Sequence, residues 1–287
     1  MPRTVYVNGR YVDHRDAAVH VEDRGYQFAD GVYEVIHLFR GRLIDAEAHL
    51  DRLDRSLGEL QISWPMSRGG LRVAMRETVR RNRFATGLVY IQVTRGVAPR
   101  DHRFPAQARP SLVMTVRTIP EFPDQMRAEG VGVITIPDIR WARRDIKSVS
   151  LLPNVLGKQA AAEAGVYEAW MVDEDGLVTE GTSSNAWIVT GEGVLVTRPA
   201  SHDILRGITR QVILDLASEL DIPFEERSFT PDEAYEAREA FLSNSSHFVT
   251  PVTRIDDRPV ANGDPGSLSV ALHDRYVRFM TEFAKID

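Results

Sequence analysis

The chain has 287 residues, of which 43% are hydrophobic, 26% are charged and none is cysteine. These proportions are ordinary for a globular protein, and the lack of cysteine excludes disulfides, thiolate nucleophiles and cysteine-ligated metal centres. The net charge of −6 argues against a nucleic-acid partner, and no apolar run approaches the about 18 residues that a membrane span needs. No secretory signal opens the chain, so we expect a cytoplasmic protein.

Two domains are expected from the length, because domains usually contain about 100–200 residues. Alternating apolar residues around turn-forming pairs predict hairpins, and apolar residues three and four apart predict helices. In a small N-terminal α/β domain over 1–118, the predicted elements are a hairpin turning at Asn8-Gly9, a hairpin turning near Arg40-Gly41, a helix with leucines at 50, 53, 57 and 60, a helix over 71–84, and strands over 87–96 and 111–120. The proline-containing segment 119–125 is the predicted linker.

A larger C-terminal domain is expected over 126–287. Its predicted elements are a strand over 130–141, a helix over 152–165, hairpins over 167–181 and 185–197, an amphipathic helix over 207–220, a strand over 239–255 and a helix over 269–284. Because hairpins dominate the connections, the pattern favours an α+β or mixed α/β fold over a doubly wound parallel sheet.

Lysine is the most informative residue type in this chain. There are three lysines, Lys147, Lys158 and Lys285, whereas the other 32 basic residues are arginine. Arginine cannot be deprotonated in a protein, so any amine chemistry must use one of these three side chains. Most single lysines are solvated surface charges. Lys147 is the best candidate, because three arginines lie within seven residues of it and nearby cations favour the neutral, nucleophilic amine.

Motifs for dinucleotides, P-loop phosphates, serine nucleophiles and zinc are missing from the sequence, and no metal is expected. Three other stretches could carry chemistry. Glu180 follows a strand-like run in VTEGTSSNAWIV, and Ile208 and Thr209 open a predicted helix whose N-terminus suits a phosphate. In PRDHRFP, Arg100 and His102 share one face of an extended segment and could hold a carboxylate. Each stretch could equally be a plain turn, helix start or surface loop.

Taken together, these stretches resemble the class IV aminotransferases, which are pyridoxal-phosphate enzymes of fold type IV. EGTSSNAW, LVT and LRGITR follow that family's signature in order and spacing over residues 180–210, with Trp187 where the family usually has Phe or Tyr. The resemblance covers essentially the whole chain. It implies two domains with the cofactor site at their interface, and a homodimer.

Within that family the chain is most similar to the bacterial D-amino-acid aminotransferases, through GVYEV, HLDRL, YIQVTRG, PRDHRFP and IKS. The resemblance assigns Lys147 as the Schiff-base lysine and places Glu180 at the pyridine nitrogen and Leu205 against the ring. The residues that it assigns to the cofactor phosphate are Arg52, Ile208, Thr209 and Ser245. Those that it assigns to the substrate α-carboxylate are Tyr33, Arg100 and His102, the last two reaching the site from the partner subunit.

The reaction that the resemblance implies is transamination of D-amino acids such as D-alanine, with 2-oxoglutarate or pyruvate as acceptor. Branched-chain L-aminotransferases, (R)-amine transaminases and aminodeoxychorismate lyases share the cofactor residues and are the alternatives. The pair Arg100 and His102 favours the D-amino-acid reaction over all three. A member that binds a ligand without catalysis is a further hypothesis. The helical face of Arg52 is weakly determined, because Arg55 competes for the same role.

Overall fold

The computed structural model describes residues 3–119 and 124–284, which group into two compact units. The described parts of the first unit are 3–119, Ile146–Ser150 and Ala284, and those of the second are 124–145 and Leu151–Phe283. The segment 146–150 therefore packs with the first unit, although it follows the predicted linker by some twenty residues. Positions 120–123 of that linker, and Lys285, lie outside the described residues.

The first unit is built on an antiparallel sheet with the strand order β2-β1-β6-β5-β3-β4. Its strands are β1 (Thr4–Val7), β2 (Arg10–Asp13), β3 (Gly31–Phe39), β4 (Arg42–Leu43), β5 (Gly87–Thr94) and β6 (Ser111–Arg117). Its helices are α1 (Arg24–Phe28), α2 (Ala46–Glu59) and α3 (Arg68–Asn82). Both predicted hairpins are confirmed, since β1 pairs with β2 and β3 pairs with β4.

Local signals explain most of the boundaries in this unit. Asn8 and Gly9 adopt positive φ values of 47° and 92°, as the two-residue hairpin turn requires. The helix α3 starts three residues before the predicted range 71–84, because the Ser67 side chain accepts a hydrogen bond from the Gly70 N–H. The short helix α1 was not predicted.

The core of the first unit lies between α2 and one face of the sheet. Leu50, Leu53 and Leu57 are buried on α2, as the leucine spacing predicted, and they cluster with Val32 and Ile36 of β3. Leu60 lies at the end of the helix and is half-buried. Because side chains alternate along a strand, the residues of β3 between these apolar positions face away from α2.

The second unit is built on a mixed sheet with the strand order β12-β11-β10-β13-β14-β7-β8-β9, and β15 pairs with β14. Its strands are β7 (Val131–Pro137), β8 (Glu168–Val172), β9 (Val178–Gly181), β10 (Asn185–Val189), β11 (Leu195–Thr197), β12 (Phe224–Glu226), β13 (Glu239–Asn244), β14 (Phe248–Ile255) and β15 (Arg258–Pro259). Its helices are α4 (Asp124–Glu129), α5 (Leu152–Glu163), α6 (Ile208–Glu219), α7 (Pro231–Tyr235) and α8 (Ser267–Phe283). In the described residues no helix is both long and apolar enough to cross a membrane.

The prediction of a single strand over 239–255 was wrong. The structure shows two antiparallel strands, β13 and β14, joined by a tight turn. The side chain of Asn244 causes this turn, because its Oδ1 accepts hydrogen bonds from the N–H groups of Ser246 and His247. Ser245 consequently lies in a turn at the end of the sheet. The hairpins β8–β9 and β10–β11 and the helices α5, α6 and α8 are confirmed.

Candidate active site

Lys147 lies beside the start of β3 in the first unit. Ser148 forms an antiparallel bridge with Val32, and the Tyr33 N–H donates to the Lys147 carbonyl at 3.0 Å. This pairing places the Lys147 Nζ 4.3 Å from the centre of the Tyr33 ring. An ammonium at this distance from an aromatic face is attracted by it. The structure thus brings two of the predicted site residues, Lys147 and Tyr33, into contact.

Tyr33 belongs to an aromatic pair on the face of the sheet opposite to α2. Its ring stacks on that of Tyr90 in β5, with the ring centres 5.7 Å apart. Burial, together with the neighbouring Tyr33, raises the pKa of Tyr90 to about 12. Tyr90 is therefore neutral at physiological pH, and its hydroxyl donates to Gln92 Oε1 at 2.7 Å. This face presents aromatic rings and neutral polar groups next to the amine of Lys147.

Arg52, a predicted phosphate ligand, is held by Glu34 of β3. Its Nε and Nη2 donate to the two carboxylate oxygens, each at 2.8 Å, and His49 Nδ1 lies 2.7 Å from Glu34 Oε2. Burial opposes the charge on Glu34, but Arg52 and His49 outweigh it and hold the pKa of Glu34 well below its ordinary value. This two-point contact orients the guanidinium. The competing Arg55 lies exposed on α2.

Sequence reasoning missed Glu34. It shares the core-facing side of β3 with Val32, Ile36 and Leu38, all of which are fully buried. An ionised residue inside such an apolar series needs partners of opposite charge, because isolated buried charges are strongly destabilising. The charged residue in GVYEVIHL was therefore a usable signal that a buried ion pair lies behind this strand.

Arg100 and His102 lie together on the exposed loop between β5 and β6. Both flank the ring of Phe28: the Arg100 guanidinium carbon is 4.6 Å from the ring centre, and the His102 ring centre is 5.4 Å away. Both side chains are exposed to solvent in the single chain. The loop thus presents an arginine and a histidine side by side, as the shared-face argument predicted.

A buried ionic cluster supports this loop from below. Arg24 donates from Nη1 to the Asp101 carbonyl at 2.5 Å and from Nε to Asp30 at 2.7 Å. Arg95 binds the same Asp30 carboxylate through two nitrogens, at 2.7 and 3.0 Å. Its guanidinium also lies 3.7 Å from the centre of the Phe104 ring. Asp30 therefore orients two arginines, each of which contacts the loop at a different point.

In the second unit, Glu180 lies at the end of β9 and is 5% exposed. Its carboxylate accepts hydrogen bonds from the Leu205 N–H at 3.1 Å, from Asn185 Nδ2 at 3.0 Å and from Arg140 Nη1. Asn185 Nδ2 also donates to the Leu205 carbonyl at 3.0 Å. The predicted residues Glu180 and Leu205 are thus in direct contact, and the carboxylate is oriented as an acceptor.

Arg140, which sequence reasoning did not assign, is held by a buried aspartate. Its Nε and Nη2 donate to the two oxygens of Asp138, at 2.9 and 2.7 Å. Thr179 Oγ1 donates to the same carboxylate at 2.7 Å. Burial opposes the charge of Arg140, but Glu180 and Asp138 outweigh it and raise the pKa of Arg140. The spacing of an aspartate and an arginine two residues apart is too common to have been a signal.

The start of α6 has features that suit an anion. Gly207 is its N-cap residue and makes no side-chain capping hydrogen bond to the helix. A Cβ atom on Gly207 would lie 2.1 Å from Asn185 Oδ1, so the close approach requires glycine. Thr209 is buried in the first turn and Ile208 is half-buried. N–H groups at a helix start carry partial positive charge and bind phosphates well.

Ser245 lies near the start of β10, because the strand register pairs Ser243 with Asn185. The turn that contains Ser245 is contacted by the residue that precedes β8, since the Tyr167 hydroxyl is 2.9 Å from His247 Nδ1. Burial and the nearby Lys158 lower the pKa of His247, so the ring is neutral at physiological pH.

Lys158 is engaged in a different environment from Lys147. It lies on α5, where its Nζ donates to the Tyr167 carbonyl and is 3.6 Å from the buried Glu168. Glu168 in turn accepts hydrogen bonds from Thr182 and from Ser183 Oγ, the latter at 3.0 Å. Lys158 therefore stabilises the charge of a buried carboxylate, which leaves Lys147 as the better candidate for amine chemistry.

Comparisons with known proteins agree on the class. A model of the family "Amino-transferase class IV" matches residues 31–255. The D-alanine aminotransferase of Bacillus licheniformis is 43% identical over 266 residues, covering 92% of this chain and 93% of that protein. A branched-chain aminotransferase from Thermoproteus uzoniensis, solved with norvaline, has a TM-score of 0.87 at 27% identity and covers 97% of this chain and 94% of that one. A fold IV transaminase from Curtobacterium pusillum has a TM-score of 0.80 at 25% identity, covering 94% and 97%.

The chain belongs to the class IV aminotransferases. It has the type IV fold and is a pyridoxal-phosphate-dependent transferase, as the signature over 180–210 implied. At the level of particular proteins, it is more similar in sequence to the D-alanine aminotransferase than to the branched-chain enzyme, at 43% against 27% identity.

The residues present fit this cofactor. An oriented arginine, Arg52, and the glycine-capped helix start at Gly207 suit the phosphate. The buried carboxylate of Glu180 suits a protonated ring nitrogen, and Lys147 supplies an amine for the aldehyde. Lys147 and Arg52 belong to the first unit, whereas Glu180 and the start of α6 belong to the second.

Proposed function

We propose that this protein transfers the amino group of D-amino acids such as D-alanine to a 2-oxo acid, either 2-oxoglutarate or pyruvate. One observation carries the proposal: the similarity to a D-alanine aminotransferase at 43% identity over 92% of this chain. The branched-chain aminotransferase from T. uzoniensis is a close structural neighbour but only 27% identical, which makes branched-chain L-amino acids the weaker alternative.

Pyridoxal phosphate supplies an aldehyde that captures amines and a protonated ring that stabilises negative charge developing on the amino acid. The residues that would hold its phosphate are Arg52, Ile208, Thr209 and Ser245. Leu205 would lie against the ring, and the Glu180 carboxylate would accept a hydrogen bond from the protonated ring nitrogen. The bidentate contact between Glu34 and Arg52 supports the first assignment, and the three donors around the Glu180 carboxylate support the last.

Lys147 is the amine that holds the cofactor in the absence of substrate. With an amino acid bound, the Lys147 Nζ would act as the general base that takes the proton from the substrate Cα and as the general acid that gives this proton up during amino transfer. The backbone pairing of Lys147 with Tyr33 supports this role, because it fixes where the side chain leaves the segment.

Tyr33 binds the substrate α-carboxylate together with Arg100 and His102 of the partner subunit, which is a second copy of this chain. An arginine holds a carboxylate through two hydrogen bonds, and a histidine adds a third donor. Arg100 and His102 are exposed in the single chain, and Phe104 on the same loop has an exposed fraction of 55%. Exposed apolar side chains beside a polar site support an interface there.

The helix α5 supports the same homodimer. Leu152, Val155 and Leu156 are more than half exposed and recur at a spacing of three and four residues, so they share one helical face. A stable monomer rarely leaves such a stripe open to water. We place the dimer in the cytoplasm, in line with the composition of the chain.

The absorption spectrum of the purified holoenzyme tests this proposal. We expect the visible band of the lysine-bound cofactor to bleach with D-alanine and to persist with L-alanine, and the D-alanine sample to yield pyruvate, and glutamate once 2-oxoglutarate is added. Bleaching by branched-chain L-amino acids alone would overturn the D-amino-acid proposal. Pyruvate released from aminodeoxychorismate without an acceptor would instead make the protein a lyase. Lys147→Ala is the matched control and should lack the band.

A further inference from the structure

We propose that Asp138 and Arg140 control the protonation of the cofactor's ring nitrogen through the carboxylate of Glu180. This inference rests on the proposed role of Glu180 as the partner of that nitrogen. Asp138 and Arg140 act as positioning residues that adjust the charge behind Glu180. The two residues push the protonation equilibrium in opposite directions, and their balance sets how strongly the cofactor withdraws electrons.

The three side chains form an unbroken ionic chain in the second unit. Asp138 is fully buried and binds Arg140 through two parallel hydrogen bonds. The remaining terminal nitrogen of Arg140, Nη1, donates to Glu180 Oε1. Arg140 is itself 7% exposed, so water screens these charges little. A change of charge at Asp138 is therefore felt at Glu180.

Orientation alone does not require this cation. The Leu205 N–H and Asn185 Nδ2, both uncharged donors, already bind the Glu180 carboxylate. The Arg140 guanidinium adds a full positive charge next to the Glu180 carboxylate, which is the group proposed to stabilise the protonated ring nitrogen. Such a charge disfavours the cationic form of the ring. The second carboxylate, Asp138, offsets it.

Further charges continue the alternation beyond Asp138. Arg144 Nε lies 3.2 Å from Asp138 Oδ2, and Arg144 Nη1 lies 3.7 Å from Asp203. Asp203 is also bound by Arg198 at 3.0 Å. Because these groups are farther along the chain of contacts, their effect on the ring nitrogen is smaller than that of Arg140 or Asp138.

The signs of two substitutions follow directly. Asp138→Asn removes one of the two carboxylates that bind Arg140, so the ring nitrogen loses its proton at a lower pH. Arg140→Met removes the cation next to Glu180, so the nitrogen keeps its proton to a higher pH. We expect each of these changes of charge to move the titration midpoint of the ring nitrogen by about one pH unit. Arg140→Lys keeps the charge and should leave the midpoint near that of the wild type.

Holoenzyme reconstituted with pyridoxal phosphate carrying ¹⁵N in the ring tests this proposal. The ¹⁵N resonance reports protonation of that atom directly, and its midpoint is read from a pH series. We expect a lower midpoint for Asp138→Asn and a higher one for Arg140→Met. Shifts in the same direction, or midpoints equal to the wild type, would overturn the proposal.

Two further variants separate the possible failures. Glu180→Gln should lower the midpoint most, and an unchanged midpoint there would overturn the proposed role of Glu180 itself. Asp173→Asn breaks the pair of Asp173 with Arg198, joined at 2.7 Å, and should shift the midpoint much less than Asp138→Asn, because it lies at the far end of the ionic chain. If Asp173→Asn shifted the midpoint as far as Asp138→Asn, the effect would be a general one of losing a buried carboxylate, and the proposal would be wrong.

Discussion

Each unit of this protein contains a buried arginine–carboxylate pair, and the two pairs have reversed roles. In the first unit, the fully buried Glu34 stands behind Arg52, so a cation is presented. In the second unit, Arg140 stands behind Glu180, so a carboxylate is presented. In both cases the supporting group has the opposite charge to the group that it supports, because a single buried charge is strongly destabilising.

This reversal agrees with the distribution of charge along the chain. Residues 1–118 carry 19 arginines against 13 acidic residues, whereas 119–287 carry 16 basic against 28 acidic residues. The proposed cofactor and substrate need protein residues of both charges around them, since phosphate and α-carboxylate are anions and the protonated ring nitrogen is a cation. Of the residues assigned to these groups, Arg52 and Arg100 lie in the basic range 1–118 and Glu180 lies in the acidic range 119–287, whereas Lys147 belongs to 119–287 in sequence but packs with the first unit.

The largest expected effect comes from removing the amine of the first unit. Lys147→Ala should lower the turnover of D-alanine with 2-oxoglutarate by at least about 10³-fold, because it removes both the cofactor-binding amine and the acid–base group. Pyruvate formation measures the loss. The control is Lys158→Ala, which should retain activity because Lys158 is engaged with Tyr167 and Glu168. Comparable losses in both variants would remove the distinction between the two lysines.

The next effect tests whether Glu34 carries the charged pair of the first unit. Glu34→Gln should lower the free energy of unfolding by about 3–5 kcal/mol, because it leaves the guanidinium of Arg52 without its buried anion. It should also weaken the binding of pyridoxal phosphate. Urea titration and fluorescence titration with the cofactor measure the two losses. Glu77→Gln, which breaks an exposed helical pair with Arg80, should change neither.

The same carboxylate predicts a dependence of stability on pH. The pKa of Glu34 is lowered in the folded protein from its ordinary 4.5, so the pair stabilises the fold fully above that value. The stabilisation is lost progressively as the pH falls below 4.5 toward the folded-state pKa. Glutamine does not titrate, so the unfolding free energy of Glu34→Gln should fall less than that of the wild type on acidification. If the unfolding free energies of the two proteins fell equally on acidification, Glu34 would not be the titrating group.

A smaller effect is expected at the carboxylate trap. Arg100→Ala should lower kcat/KM for D-alanine by about ten- to hundredfold, because one charge-assisted, two-point contact is worth about 1.5–3 kcal/mol. A primary amine without a carboxylate should be affected less. Arg103→Ala on the same loop removes an arginine whose exposed side chain binds Asp101 and should leave both substrates unaffected. Equal losses of kcat/KM for the amino acid and for the amine would show that Arg100 has a structural role and does not bind the substrate carboxylate.

The smallest effect is expected at the support beneath this loop. Asp30→Asn weakens the hold on both Arg24 and Arg95, so the loop that carries the trap becomes less well placed. We expect KM for D-alanine to rise about three- to tenfold with little change in kcat, since positioning and not chemistry is altered. Steady-state kinetics over a range of D-alanine measures this split. A fall in kcat at constant KM would place Asp30 nearer to the chemistry than the structure does.

Local features of the sequence determined much of the fold and the candidates for the site. The pair Asn8-Gly9 specified a hairpin, and the leucine spacing of α2 specified its buried face, because both depend on short-range backbone and side-chain geometry. The scarcity of lysine reduced the candidate amines to three, and the motif over 180–210 identified the family. The signature residues include Glu180 and Thr209, whose roles stay predictions.

Only the tertiary structure decided which groups stand behind these residues. The pairing of Arg52 with Glu34, and of Arg140 with Glu180, joins side chains from different strands, helices and loops. The tertiary structure also decided that residues 146–150 pack with the first unit, and that the segment 239–255 folds back at Asn244. Sequence patterns repeat with the period of one helix or strand, whereas a buried charge is stabilised by whatever partner the packing brings to it.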